Sequence, residues 1–137
     1  MNATASLLGR LGLSLIFITS GWGKIAGFAA TQGYMEAMGV PGGLLPLVIA
    51  LEVGGGLAIL AGGFTRTFAA ALAAFSLAAA ALFHGNLGDG DQAIHFWKNV
   101  AMAGGFLMLV ANGPGPLSLD AAWSRRRASP EALPATA

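Results

Sequence analysis

The chain has 137 residues, of which 55% are hydrophobic and only 9% charged, whereas an ordinary soluble domain is about 25% charged. So few charges cannot cover a water-facing surface, and the mean hydropathy of +0.70 points to residence in a bilayer. A net charge of +1 supplies no basic field for nucleic acid, and the absence of cysteine excludes thiol catalysis, disulfide exchange and cysteine-held metal centres within the chain.

Met1 to Ser6 is short and polar. Leu7 to Ile25 is the first apolar segment. A secretory signal carries positive charge before its apolar core and a small-residue cleavage site after it. Here Arg10 lies inside the segment and Ser20-Gly21-Trp22-Gly23-Lys24 closes it, so the segment reads as a retained span. Arg10, Ser14, Phe17, Gly21 and Lys24 share one helical seam. Arg10 either faces the bundle along that seam or snorkels to an interface as an anchor.

Gly27 to Gly43 reads as a connection with helical character, broken by Gly39-Val40-Pro41-Gly42-Gly43; a short helix lying in the interface suits it. Leu44 to Gly63 is the second span, with Glu52 inside it. A run of about 20 apolar residues crosses a bilayer. An ionisable residue within such a run costs roughly 2.5 kcal/mol or more to insert, so Glu52 is expected to face protein or a water-filled cavity. Gly55, Gly56 and Ile59 share its face, and glycines there let neighbouring helices come close. Thr67 to Phe83 is the third span, with Ser76, Ala80 and His84 on one face. A polar loop from His84 to Ala93 carries Asp89 and Asp91. Ile94 to Val110 is the fourth span, with His95, Lys98, Asn99 and Met102 together near its start. Asn112 to Pro116 ends it. Residues 1–121 thus read as one membrane domain, and 122–137, with Arg125-Arg126-Arg127 and a Pro/Ala-rich end, as a disordered cytoplasmic tail.

The predicted fold is all-α: an integral membrane four-helix transmembrane bundle with a short interfacial helix between spans 1 and 2. The arginine triplet places the C-terminus in the cytoplasm, and four spans place the N-terminus there too. Arg66 falls on the same side and the Asp89/Asp91 loop outside. Lys24 also falls outside, against the rule, which implies another reason for its position.

With that topology Lys24, His84, His95, Lys98 and Asn99 gather at the outer half of the bundle. Glu52 lies about 12 Å below the outer surface at a rise of 1.5 Å per residue, within reach of Lys24 or Lys98. One reading is a polar pocket for a ligand bearing carbonyl or hydroxyl groups, with Glu52 exchanging protons. A quinone head group meets those needs, although no spacing names it. The other reading is a buried ion pair that fixes helix register, in a scaffold or assembly factor without chemistry. Haem ligation by His84 and His95, and a divalent metal held by His84, Asp89, Asp91 and His95, carry less weight. The two histidines sit at helix ends beside a short loop, the glycine-rich loop has no recognised ligand spacing, and no metal site is assigned. A solute carrier needs a polar path, and Arg10 is the one deep polar residue on the inner side of the first helix.

Ser20-Gly21-Trp22-Gly23-Lys24 resembles the Ser-Gly-x-x-Lys signature of the DoxX family, and Glu52 with Gly55-Gly56 resembles its Glu-x-x-Gly-Gly element. Thr65-Arg66, His84, Lys98-Asn99 and the ending from Gly113 to Asp120 extend the likeness over Leu7 to Ala121, while Pro116 stands where the pattern has a basic residue. The resemblance implies a multi-pass protein of the bacterial inner membrane. It also implies a link to redox chemistry, because related membrane subunits belong to a thiosulfate–quinone oxidoreductase. The reading that follows is a membrane component of a quinone-linked oxidoreductase or redox-defence system. Glu52 and Lys24 would be its catalytic pair, and His84, His95, Lys98 and Asn99 its ligand-binding residues. Its expected partners are the lipid bilayer, a quinone or other small apolar ligand, and a protein partner or a second copy of the chain.

Overall fold

The computed structural model describes residues 2–128, and all the regular elements among them are helical. Four helices are long and apolar enough to cross a membrane. The first, α1 (Ala3–Ala26), starts at Asn2, whose side chain accepts hydrogen bonds from Thr4 N and Ala5 N at 3.0 and 3.2 Å. That cap satisfies two otherwise unpaired donors and draws the polar start of the chain into the helix. The buried residues of α1 are Arg10, Ser14, Phe17 and Gly21, the seam that its periodicity predicts.

The connection forms helix α2 (Phe28–Ala37). Gly39 ends it at φ +78°, and Val40 N donates to Met35 O at 2.9 Å, the Schellman arrangement that a left-handed glycine permits. The second span, Gly42–Ala61, is segmented. A 3-10 turn over Gly42–Leu44 leads into α3 (Leu45–Ala50), a π-helical turn over Leu51–Gly55 follows, and α4 (Gly56–Ala61) completes it. The π turn falls on the stretch that carries Glu52. Single π turns within helices recur at functional sites. Helices α5 (Thr65–Phe83) and α6 (Gly90–Asn112) are the third and fourth spans. Asp89, expected in the loop, is the N-cap of α6: its Oδ1 accepts from Asp91 N and Gln92 N at 2.9 and 3.2 Å.

Helix α5 packs along α6, and α1 packs along the second span. The core joins the two pairs through Phe17, Ile59, Leu72 and Phe106, with Phe17 edge-on to Phe106 at a centroid distance of 5.4 Å. Glycines set the close approaches. A methyl group on Gly21 would stand 2.6 Å from Val53 Cγ2, and one on Gly56 2.8 Å from Ile18 Cγ1 and 3.3 Å from Ser14 O.

One detail decides between the two readings of Arg10, and another corrects the sequence reading. Arg10 does not snorkel: it is 1% exposed, and its guanidinium donates to Ile59 O at 3.3 Å, Leu60 O at 3.1 Å and Leu117 O. These carbonyls lie at the end of α4, where Ile59 O also accepts from Gly62 N at 3.1 Å, and in the segment after α6, and an arginine on the α1 seam reaches both. Helix α7 (Leu119–Ala128) occupies positions expected to be disordered, because Asp120 anchors its start. The carboxylate accepts from Phe64 N and Thr65 N at 2.8 and 2.9 Å, while Asp120 N donates to Gly62 O at 2.9 Å. The remainder of the expected tail lies outside the described residues.

Candidate functional site

The site begins with Glu52 on the π turn. It is 3% exposed. Helix α1 comes so close at Gly21 that a methyl group there would stand 3.2 Å from Glu52 Cβ, and this approach brings the next turn of α1 alongside the carboxylate. Lys24 therefore reaches back from the end of α1. Its Nζ stands 2.9 Å from both carboxylate oxygens of Glu52. Lys24 Nζ also donates to Ser20 Oγ at 2.7 Å, and the Ser20 hydroxyl lies 3.3 Å from Glu52 Oε1, to which it donates. Oε1 thus receives aligned hydrogen bonds from lysine and serine. Oε2 is held by charge alone and has no aligned donor. A buried carboxylate keeps unused acceptor capacity at that atom.

A cavity of 480 Å³ opens beside the pair. Lys24, Glu52, His84, His95, Lys98 and Asn99 all line it. The two histidine rings stack at a centroid distance of 5.0 Å with planes 24° apart. His84 Nδ1 lies 2.8 Å from Gln92 Oε1, a contact that requires the proton on Nδ1 and leaves Nε2 of a neutral ring as an acceptor. Asn99 Nδ2 donates back to His95 O in its own helix at 2.9 Å, which leaves its carbonyl oxygen and one N–H for another partner. Lys98 is exposed and forms no ion pair among the described residues; Lys24, not Lys98, is the partner of Glu52.

Apolar side chains cover most of the cavity wall, among them Phe17, Phe75, Leu82 and Met102. Helix α2 closes one side. It contributes Thr31, Tyr34 and Met35, and Tyr34 stacks on Phe83 at 5.6 Å. The wall thus sets apolar surface beside the histidines, the lysines and the Glu52 carboxylate. The described residues do not gather three or more histidine, aspartate or glutamate side chains as a metal-ligand group; Asp89 serves as a helix cap instead.

Sequence reasoning named Ser20 only as part of a motif, missed Gln92 and left open whether the segment that forms α2 caps the bundle or only tethers two spans. Ser20 was within reach of inference, since it precedes Lys24 by one helical turn on the side facing Glu52. Gln92 meets His84 across a turn of irregular geometry, and no periodicity marks that contact.

No solved structure matches the chain. Among curated proteins, it is 56% identical over 114 residues to inner membrane protein YqjF of Escherichia coli (strain K12), covering 83% of this chain and 88% of that protein. It is 40% identical over 121 residues to inner membrane protein YphA of the same organism, covering 83% and 86%. The DoxX family's sequence model matches residues 5–85, a range that takes in the first three spans with Lys24, Glu52 and His84. By that match and by these relatives, the chain belongs to the DoxX family.

Proposed function

We propose that this DoxX-family protein is a multi-pass protein of the bacterial inner membrane, with both termini cytoplasmic, that serves as the membrane component of a quinone-linked oxidoreductase or redox-defence system. The observation that carries the reading is the convergence of Lys24, Glu52, His84, His95, Lys98 and Asn99, from four membrane-crossing helices, on one mostly apolar cavity of 480 Å³. A quinone has an apolar body and carbonyl oxygens that take up protons on reduction. In this reading the lysines and the histidine rings orient the carbonyls, Glu52 passes a proton while paired with Lys24, and the two electrons come from a redox partner protein of the same system. The names of the two E. coli relatives support the membrane assignment.

The test is titration of a short-chain ubiquinone into the purified protein in mild detergent, wild type beside Glu52→Gln. A charge-assisted hydrogen bond contributes about 1.5–3 kcal/mol, so the variant should bind roughly tenfold or more weakly. Equal affinity in the two proteins overturns the reading.

A second reading has its own support. The Lys24–Glu52 pair ties α1 to the π turn, which is what a register-fixing pair in a non-catalytic scaffold does. It predicts that the pair can be replaced by apolar residues without loss of partner association.

A further inference from the structure

A second cavity, of 520 Å³, lies at the opposite end of the bundle, where α5 begins and α6 ends. The proposed function does not use it. Its wall includes Phe64, Arg66, Asn112, Trp123 and Arg127. Both arginines are exposed, and neither forms an ion pair with a described residue. The acidic residue in the wall, Asp120, forms no ion pair with either of them among the described residues. Its two oxygens accept from Phe64 N and Thr65 N and keep a negative charge that offsets one guanidinium, so Arg66, Arg127 and Asp120 together leave the wall net positive. Thr65 also lines the cavity. It is 0% exposed, and its hydroxyl oxygen has no hydrogen-bond partner among the described residues.

The rim is aromatic. Phe64 and Trp123 pack at a centroid distance of 5.5 Å yet stay 67% and 39% exposed. Phe64 holds a left-handed backbone, φ 47°, an uncommon conformation for a bulky residue, and the Asp120 bond to its N–H helps to fix it there. Exposed aromatics at the ends of membrane spans sit at headgroup level.

We propose that this cavity binds the phosphate group of an anionic phospholipid, with Arg66 and Arg127 as the phosphate ligands and Phe64 and Trp123 against the glycerol and upper acyl region. Planar guanidinium groups match phosphate oxygens in paired hydrogen bonds. The cavity opens between span ends, where lipid headgroups lie, and its rim is apolar; both favour a lipid over a soluble phosphate. The inference stands independently of the redox reading.

The experiment is native mass spectrometry of the full chain, released from mild detergent with phosphatidylglycerol or phosphatidylcholine of matched acyl chains. Wild type should retain phosphatidylglycerol in preference to phosphatidylcholine. Basic residues near an anionic lipid surface each contribute about 1 kcal/mol, so Arg66→Gln with Arg127→Gln should weaken phosphatidylglycerol binding about thirtyfold. Arg126→Gln, on the same helix but outside the cavity wall, should change it less than about threefold. If the double variant does not fold by circular dichroism, Arg127→Gln alone carries the comparison, with about a fivefold loss expected. Equal retention of the two lipids overturns the proposal. So does an Arg126→Gln effect as large as that of Arg127→Gln, which would mean diffuse surface charge. Displacement of the lipid by inorganic phosphate overturns it in favour of a soluble-anion site.

Discussion

At the scale of single residues, two buried charges do different work at opposite ends of one helix seam. Arg10 is spent on backbone carbonyls, donating to the end of α4 and to Leu117 O, and so staples α1 to two other segments. Glu52 keeps an oxygen without an aligned donor beside a cavity. Removing one member of a buried ion pair costs about 3–5 kcal/mol, while replacing both by apolar residues is often near neutral. Lys24 is a quarter exposed, with 25% of its side chain accessible, so solvent screening brings the loss to the bottom of that range or below it. Lys24→Met should destabilise the protein by about 2–3 kcal/mol in detergent unfolding, and Lys24→Met with Glu52→Leu should recover most of the loss. A double variant no more stable than the single one would show that the carboxylate is not held chiefly by this lysine. The partnership of Lys24 and Glu52 was legible in the sequence as a pair of alternatives, because helix rise places both lysines within reach. Choosing Lys24 over Lys98 needed the packing of α1 at Gly21, which brings that helix against Val53 and Glu52. The fate of Arg10 was not legible, since a seam position is equally compatible with snorkelling until its acceptors are known.

At the scale of elements, the second span is the part that departs most from a uniform helix. Its apolar run and its glycines announced a closely packed span, but the π turn over Leu51–Gly55 depends on where α1 presses, which no hydropathy pattern records. The glycines in this stretch are not equivalent. A methyl on Gly56 meets Ile18 Cγ1 at 2.8 Å and Ser14 O at 3.3 Å, whereas one on Gly54 meets nothing within 4 Å. Overpacking a tight contact costs about 1–3 kcal/mol, and alanine in an open helical position gains up to about 1 kcal/mol over glycine. Gly56→Ala should therefore lower the unfolding midpoint and Gly54→Ala should leave it unchanged or raise it. A reversal of that order would contradict the packing of α1 against the second span. Helix α7 shows the opposite lesson. Its composition, arginine-rich and followed by proline and alanine, reads as a tail, yet its first turn is anchored by the Asp120 cap on α5, a contact between segments far apart in the chain.

At the scale of the molecule, four helices long and apolar enough to cross a membrane bring a polar group of residues to one cavity at one end and are fastened by a backbone-directed lock at the other. Composition and periodicity carry the spans themselves, because apolar length and helical seams are local properties. Helix ends were less legible: Asn2 and Asp89 extend α1 and α6 by capping beyond the apolar runs. The convergence of Lys24, Glu52, His84, His95, Lys98 and Asn99 could be anticipated from topology, since alternate span ends meet on one side. The size and apolar lining of the cavity they share could not. The central claim is that this cavity holds a ligand whose retention depends on Glu52. Mass spectrometry of an organic extract from gently purified protein, wild type beside Glu52→Gln, tests it directly. The account predicts one quinone or similar small molecule near stoichiometry in the wild type and its loss in the variant. Bulk phospholipid alone in both samples would contradict it.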